Sequence, residues 1–354
     1  MKRICIVVGA RPNFVKVAPI IRVINKTVGV CYSLVYAGTE DDPTLEPTLF
    51  DDLQIPRPDV FLGVDSSSLN EITSRVMACF DEYLEREPTD VVIVVDDLAS
   101  TMAAAITAKK RGLKLAHLVA GTRSFDMTMP KEVNRLVIDA LSDYLFTAGI
   151  KSNSVATREQ SDGSNTYMVG NILMDTLRFN HQRLRKPDIE IESGAYLVFT
   201  LNRKALLTDT KKLSELLRTI CQSAGGTPII APLRENAASV IKSWLPSDHN
   251  NMVIISSLPY LEFGWLTAHA RGIITDSGNI AEEATFNGVP CITLNSYTEH
   301  QETVSVGSNV LVGEDSDKLQ AAMAKMIAGE WKKSSLPDRW DGRSAERIVQ
   351  ILTQ

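Results

Sequence analysis

Short apolar runs of strand length alternate with amphipathic segments of helix length along the chain, and this alternation constrains the fold more than any other feature. In the first half, the apolar runs lie at residues 3–8, 31–36, 91–95, 114–119, 144–148 and 166–169. One intervening segment, residues 69–87, repeats apolar side chains at helical spacing, at Ile72, Val76, Phe80 and Leu84. Strands that are apolar throughout and separated by helices are typical of a parallel sheet covered on both faces.

A second series of the same kind follows a polar break at residues 183–194, which contains proline and glycine. Its apolar runs lie at residues 196–200, 228–231, 252–255, 272–275, 291–294 and 309–312. The length of 354 residues also fits about two domains. We therefore predict two doubly wound, Rossmann-like α/β domains, at residues 1–182 and 195–340. The last residues, 341–354, are predicted to form a helix that could cross back to the first domain. Ligands of such sheets bind beyond the carboxyl ends of the strands, so an interdomain cleft is the expected site.

Charge and cysteine content narrow the class of protein. The formal net charge is −6, whereas proteins that bind nucleic acids or membrane surfaces usually carry a basic patch. The five cysteines are scattered and form no CxxC pair, which is typical of reduced thiols in a cytosolic protein. No apolar segment approaches the roughly 18 residues that a membrane span needs. We therefore expect a soluble, cytoplasmic protein that binds neither nucleic acid nor membrane.

The segment at residues 273–294 has the pattern of a binding turn. A β-branched strand is followed by Asp276-Ser277-Gly278, then by a helix with two adjacent glutamates, and then by a second buried strand. Free N–H groups and the helix dipole at such a helix start favour an anion such as a phosphate. An ordinary strand–helix–strand connection has the same pattern, so the turn alone leaves both interpretations open.

The motifs as a set resemble the UDP-N-acetylglucosamine 2-epimerase family over nearly the whole chain. The resemblance is strongest at residues 259–294, which contain the turn described above. The landmarks of the first domain are Gly9-x-Arg11-Pro12-x3-Lys16, Asp97, His117, Ala120-Gly121-x-Arg123, Pro130-x-Glu132-x-Asn134-Arg135 and Gly170-Asn171-x3-Asp175. The resemblance implies a GT-B fold in which a UDP-sugar, here a UDP-N-acetylhexosamine, binds between two Rossmann-like domains. It implies no cofactor and no metal, and the chain shows no ligand cluster at metal-binding spacing.

Residue roles follow from the same resemblance. Ser277 and Gly278 match positions that hold the diphosphate, and Glu283 matches the carboxylate that binds the ribose hydroxyls. Arg11 matches an arginine beside the nucleotide. Further positions on the sugar or phosphate side are Arg123, Arg135, Asn171, Arg203, Glu299 and His300. The resemblance is also compatible with a homodimer, on which the sequence itself is silent.

The chain departs from the family at positions that transfer protons. Val119 and Lys131 stand where the family has glutamates, and Asn202 stands where it has a histidine. Asp97 and Glu132 remain as a reduced acid–base pair, with His117 or His300 assisting. Two structural alternatives stay open, since a histidine at a strand end can serve only as a hydrogen-bonding group and a glutamate near a helix start is commonly a cap partner.

Three functions remain open on these residues. The first is an enzyme on a UDP-activated amino sugar that keeps the family's C1–O cleavage and has an altered second step. The second is a glycosyltransferase, which needs a donor, at most one base and a small-molecule or glycan acceptor. The third is a non-catalytic relative that kept UDP binding.

Overall fold

The computed structural model describes residues 1–159, 165–245 and 251–354. These residues form two compact units. Unit 1 consists of Met1–Asn180 together with Asp338–Gln354, and unit 2 consists of His181–Pro337. The C-terminal residues thus belong to the same unit as the N-terminus.

Unit 1 contains a seven-stranded sheet among its described residues, and unit 2 contains a six-stranded one. The strands of unit 1 are β1 (Lys2–Val8), β2 (Val30–Tyr36), β3 (Val60–Phe61), β4 (Val91–Val95), β5 (Lys114–Leu118), β6 (Tyr144–Thr147) and β7 (Thr166–Met168). Those of unit 2 are β8 (Leu197–Phe199), β9 (Ile229–Leu233), β10 (Met252–Ser256), β11 (Gly272–Thr275), β12 (Cys291–Thr293) and β13 (Asn309–Leu311). Neighbouring strands pair in parallel in both sheets.

Helices connect successive strands. In unit 1 they are α1 (Arg11–Ile24), α2 (Leu49–Leu53), α3 (Leu69–Arg86), α4 (Ala99–Lys110), α5 (Pro130–Leu141), α6 (Ile150–Glu159) and α7 (Ile172–Asn180). In unit 2 they are α8 (Lys204–Thr208), α9 (Thr210–Ala224), α10 (Glu235–Trp244), α11 (Tyr260–Ala268), α12 (Gly278–Asn287), α13 (Gln301–Ser305) and α14 (Ser316–Ala328). The chain ends with α15 (Ser344–Thr353) in unit 1. The predicted fold of two parallel-sheet α/β domains is confirmed.

The strand order places the binding edge of each sheet. The orders are β3-β2-β1-β4-β5-β6-β7 and β10-β9-β8-β11-β12-β13. In each sheet the chain therefore reverses direction of winding at one pair, β1 with β4 in unit 1 and β8 with β11 in unit 2. Ligands of open α/β sheets bind beyond the carboxyl ends of the strands at such a switch point. Functional groups are consequently expected in the loops that follow these four strands.

Helix α1 begins at Arg11, directly after Gly9 and Ala10, and it contains two prolines. Pro12 lies in its first turn, where the missing N–H needs no intrahelical acceptor. Pro19 lies inside α1 and cannot donate to the carbonyl of Val15, four residues earlier. Thr176 of α7 fills this gap, since its hydroxyl donates to the Val15 oxygen at 2.7 Å and is fully buried.

The motif Gly170-Asn171-x3-Asp175 docks the C-terminal segment on unit 1. The Asp175 carboxylate accepts hydrogen bonds from the N–H groups of Ser344 and Ala345, at 3.1 and 2.8 Å, at the start of α15. A Cβ on Gly170 would lie 2.1 Å from the backbone oxygen of Arg339, so only glycine allows this approach. Helix α15 also packs against α1 and α7.

The described residues contain neither a membrane-spanning helix nor a cluster of metal-ligating side chains. No described helix combines the length and the apolar character that a membrane crossing requires. No three His, Cys, Asp or Glu side chains of the described ranges come together as a metal site. The five cysteines are free thiols.

Candidate active site

Asp97 follows β4 and is held by cations. One carboxylate oxygen accepts from Nε and Nη2 of Arg135, at 2.9 and 2.6 Å, and the Lys131 ammonium lies 3.5 Å from the other oxygen. Burial raises the pKa of this carboxyl, but the charges of Lys131 and Arg135 outweigh burial and lower it overall. Asp97 is therefore ionised at neutral pH, and its side chain keeps 13% exposure.

Glu132 serves as an anchor for the loop before α5. Its carboxylate accepts from the N–H groups of Ser124 and Phe125, at 2.8 and 3.0 Å, and from the Ser124 hydroxyl at 2.9 Å. Arg135 donates to the same carboxylate at 3.0 Å and so bridges Glu132 and Asp97. The side chain is 2% exposed. Burial raises its pKa and the hydrogen bonds to Ser124 lower it, with a net decrease. These contacts favour a structural role for Glu132.

His117, on β5, is enclosed by hydrogen-bond acceptors. Its Nδ1 lies 2.5 Å from the Asp139 carboxylate, and its Nε2 lies 2.9 Å from the backbone oxygen of Asp96. Arg123 pairs with the same aspartate at 2.6 Å and also with Glu159. Both His117 and Arg123 have side chains 2% exposed. The structure thus places them in a buried ion-pair cluster, which favours a structural role for both.

The backbone is strained where β4 and β5 end. Val119 has a φ of +74° and Asp96 a φ of +58°. The left-handed region is unfavourable for a β-branched residue such as Val119, at a cost on the order of 1–3 kcal/mol. The N–H groups of Val119 and Ala120 both donate to the Phe146 oxygen, at 3.1 and 3.0 Å, which fixes this bend.

Three other predicted residues of unit 1 have protein partners. Arg11, in the first turn of α1, forms a bidentate pair with Glu46. Asn171 accepts from the N–H of Leu173 at 3.0 Å and thereby caps α7. Lys16 is buried and bonds to Asp96 at 2.6 Å. The structure therefore brings Asp97, Glu132 and Arg135 together, and places His117 and Arg123 in a neighbouring cluster.

In unit 2, the turn after β11 forms the start of α12. Ser277 is the N-cap of this helix, and its own N–H donates to the Thr275 hydroxyl at 3.0 Å. The N–H groups of Gly278 and Asn279 lie in the first turn, where an α-helix offers no internal acceptor. These groups and the helix dipole make the turn suitable for a phosphate.

Asp276 and Arg203 link the loops at the switch point of unit 2. The Asp276 carboxylate accepts from the N–H groups of Asn202 and Arg203, at 2.9 and 2.6 Å, and so ties the loop after β8 to the end of β11. The Arg203 guanidinium pairs with Glu314 and donates to the Leu294 oxygen at 3.1 Å. Asp276 thus shapes the turn, although its carboxylate is directed at the neighbouring loop.

The adjacent glutamates of α12 differ in environment. Glu282 is buried, and its carboxylate lies 2.8 Å from Nδ1 of His300, the residue that precedes α13. Glu283, the predicted ribose carboxylate, is half-buried. The ring of His300 lies over Gly278, since a Cβ on that glycine would be 2.9 Å from Cδ2 of the histidine and 3.2 Å from its Nε2. Glu299 is half-buried in the loop that leads to α13.

Comparison with known proteins decides the family. The family model described as UDP-N-acetylglucosamine 2-epimerase matches residues 22–353. The chain belongs to this family. The UDP-N-acetylglucosamine 2-epimerase of Methanocaldococcus jannaschii is 31% identical to it, with 99% of each chain covered. The UDP-2,3-diacetamido-2,3-dideoxy-D-glucuronate 2-epimerase of Pseudomonas aeruginosa is 28% identical over 99% of each chain. The predicted membership of an isomerase-type enzyme family is confirmed.

Solved structures agree with this assignment. The structure of the epimerase from Methanocaldococcus jannaschii, in complex with UDP-GlcNAc and UDP, matches with a TM-score of 0.88 and 32% identity over 99% of both chains. The enzyme from Neisseria meningitidis bound to UDP-GlcNAc matches with a TM-score of 0.89 at 24% identity over the full length of both chains, and this likeness bears on the fold alone. The predicted GT-B type of fold is confirmed.

Three residues are predicted to depart from the family pattern. In unit 1, Val119 occupies the strained position after β5, and Lys131 lies in α5 beside Asp97. In unit 2, Asn202 contributes its backbone N–H to Asp276.

The sequence analysis did not identify the charged partners of His117, Arg123 and His300. Asp139 joins His117 and Arg123, and Glu282 contacts His300. A signal for the first existed, because Glu132, Arg135 and Asp139 recur at helical spacing on α5. The pairing of Glu282 with a residue 18 positions later depends on tertiary packing, and no local pattern indicates it.

Proposed function

We propose that this protein binds a UDP-N-acetylhexosamine and breaks the C1–O bond of its sugar, with UDP held at the α12 turn. The turn carries the proposal, since Ser277 caps a helix whose first N–H groups and dipole suit a diphosphate. Relatives over the full length are named as epimerases of UDP-sugars, and one was solved with UDP-GlcNAc and UDP. In this proposal Glu283 binds the ribose hydroxyls and Arg11 exchanges Glu46 for the nucleotide.

Asp97 is proposed as the base. When the C1–O bond breaks, its electron pair leaves with the diphosphate oxygen and positive charge develops at C1. That charge makes the C2 proton acidic, so a carboxylate that stays ionised can accept it while the C1–C2 double bond forms. Of the predicted acid–base residues in unit 1, Asp97 has the most exposed side chain, at 13% against 2% for Glu132 and for His117. His300, the predicted residue of unit 2, is 18% exposed.

The second half of an epimerisation lacks its usual groups in this proposal. Return of a proton to the opposite face of C2 requires a proton donor there, and neither Val119 nor Asn202 exchanges protons at neutral pH. The Lys131 ammonium lies 3.5 Å from the Asp97 carboxylate and therefore stands beside the proposed base. The Lys131 side chain is 58% exposed. We therefore propose that the main products are UDP and an unsaturated or hydrated amino sugar.

A glycosyltransferase is a second candidate, because the chain keeps one proposed base and lacks the usual proton donor for the second step. Transfer needs one base and tolerates the loss of the others, and Asp97 remains as an ionised carboxylate beside Lys131 and Arg135. In that case the sugar would pass to an acceptor hydroxyl, and UDP would appear only when an acceptor is present. Transfer and elimination therefore differ in one measurable requirement.

The test is an incubation of the full chain with UDP-N-acetylglucosamine in D2O, followed by proton and phosphorus NMR. We expect release of UDP and loss of the C2 proton signal, without accumulation of the 2-epimer. An Asp97→Asn variant should lower UDP release at least about a hundredfold, as expected for a general base. Asp90→Asn is the matched control, because Asp90 pairs with Arg3 at the exposed surface of the same unit.

Each other outcome has a definite meaning. Formation of the deuterated 2-epimer to equilibrium would overturn the altered second step and leave ordinary epimerisation. UDP release that requires an added glycan would favour the transferase. Binding of UDP without release from any UDP-hexosamine, with or without acceptor, would overturn the proposed catalysis.

We also propose a cytoplasmic location, since scattered free thiols are typical of a reducing compartment. A homodimer stays a prediction of the resemblance.

A further inference from the structure

We infer that Glu282 positions the imidazole of His300 over the α12 turn, so that Nε2 of His300 donates a hydrogen bond to the diphosphate. This inference rests on the proposed function, because it requires UDP at that turn. It assigns a role to the first glutamate of α12, whereas the family resemblance assigns a role only to the second, Glu283.

The geometry comes from three residues of unit 2. The Glu282 carboxylate lies 2.8 Å from Nδ1 of His300, which fixes the plane and direction of the ring. The opposite edge of the ring, Cδ2 and Nε2, lies where a side chain on Gly278 would begin, at 2.9 and 3.2 Å from the position of its Cβ. The ring is thus directed at the first turn of α12 from the side on which glycine leaves room.

Electrostatics explain why a buried glutamate is needed. A protonated imidazole at the start of a helix is repelled by the positive end of the helix dipole. Glu282 is 2% exposed, and a buried carboxylate favours a cation as its partner. The carboxylate therefore stabilises the imidazolium at a place where the helix alone would oppose it. A cation held against a helix start becomes useful when an anion binds between them.

The proton positions are also consistent. A protonated imidazole carries a second N–H donor at Nε2 besides the one at Nδ1 that faces Glu282. A phosphate oxygen at the turn can accept from Nε2–H of His300 and from the N–H groups of Gly278 and Asn279. His300 is then a binding residue, and Glu282 acts through it as a positioning residue.

The experiment measures UDP affinity by calorimetry for the full chain and four variants. We expect His300→Gln to weaken UDP about tenfold and Glu282→Leu to weaken it by a similar factor. Glu282→Gln keeps an acceptor for Nδ1 but loses the charge, so its loss should be smaller. The double variant His300→Gln/Glu282→Leu should bind no more weakly than His300→Gln alone, because Glu282 acts through the ring. Nitrogen-15 spectra of histidine should show the Nδ1–H state of His300 lost in Glu282→Leu.

A control separates this role from a general loss of structure. His181→Gln changes an exposed histidine of the same unit and should leave UDP affinity unchanged. Thermal unfolding of each variant shows whether it is folded, and the graded response of Glu282→Gln would not arise from collapse of α12. Equal UDP affinity in the wild type and in folded His300→Gln or Glu282→Leu would overturn the inference and leave the proposed function intact. Absence of UDP binding by the wild type would overturn the proposed function, and the inference with it.

Discussion

Six strands of the sheet in unit 1 follow the same order as the six strands in unit 2. The charged groups at the carboxyl edges of the two sheets are nevertheless arranged differently. In unit 1, the aspartates at this edge lie in ion pairs: Asp97 with Arg135, Asp96 with Lys16, and Asp139 with Arg123. In unit 2, the turn after β11 presents the start of α12, with a histidine beside it. The same topology thus carries a network of carboxylates and cations in one unit and, in the other, a helix start that suits an anion.

The difference is visible in the predicted residues of unit 1, most of which are buried and held by protein partners. His117, Glu132 and Arg123 have side chains 2% exposed, and each is held by charged or backbone partners. Asp97 is the member of the predicted acid–base set that combines an ionised carboxylate with some exposure. In the proposed function the nucleotide binds to unit 2 and Asp97 is the base in unit 1, and the following changes test this contrast.

The largest effect is expected from Arg135→Met. This change leaves the buried carboxylates of Asp97 and Glu132 without the guanidinium that bridges them. We expect a loss of about 3–5 kcal/mol in the free energy of unfolding, measured by urea denaturation. Arg3→Met removes the exposed pair with Asp90 and should cost at most about 1 kcal/mol. Equal costs for the two variants would show that the network does not hold this edge.

The second effect concerns Asp175. Its carboxylate accepts hydrogen bonds from helix N–H groups, whereas the Asp97 carboxylate is paired with cations. Burial raises the pKa of Asp175 from 3.8 to about 6, against the hydrogen bonds from Ala345 and Ser344. A carboxyl with a raised folded-state pKa contributes stability at low pH and loses it as pH rises through about 6. A shift of about 2 units corresponds to roughly 3 kcal/mol.

We therefore expect the wild type to lose stability relative to Asp175→Asn between about pH 4 and pH 7. Urea denaturation of both proteins across this range checks the difference, and the subtraction removes the titration of all other groups. A constant difference between the two proteins would contradict the raised pKa of Asp175.

A third effect tests the turn of unit 2. In Gly278→Ala the new Cβ would lie 2.9 Å from His300 Cδ2, so the ring must move away from the turn. We expect UDP affinity to fall about tenfold, or roughly 1.4 kcal/mol, in calorimetry. Gly226→Ala is the control, because a Cβ there meets nothing within 4 Å. Unchanged affinity in Gly278→Ala would place UDP elsewhere.

The smallest effect is expected from Lys131→Gln. The Lys131 side chain is 58% exposed, so loss of its pair with Asp97 should cost less than about 1 kcal/mol of stability. The same change removes a charge that lowers the pKa of Asp97. Carbon-13 NMR of the labelled carboxyl should show that pKa rise. A pKa that stays the same would show that Arg135 and Lys16 keep Asp97 ionised without Lys131.

Local patterns predicted the fold well and the contacts of the site poorly. Strands such as β4 were readable because all five of its residues are apolar and buried. The short elements β3 and α13 were missed, since two and five residues carry too little periodicity. Two partners of Glu132 were hidden for another reason, because they are backbone N–H groups of a loop, which any sequence possesses. Thr176, which bonds to the carbonyl freed by Pro19, likewise needs the tertiary structure to be recognised.

The proposed function depends on binding of the diphosphate at the α12 turn. Its most direct test is a titration of the isotope-labelled full chain with UDP, followed by backbone amide shifts in two-dimensional NMR. If the diphosphate binds at this turn, the N–H groups of Gly278 and Asn279 should show the largest saturable shifts. Saturable shifts that leave these two amides unchanged and fall elsewhere would contradict it.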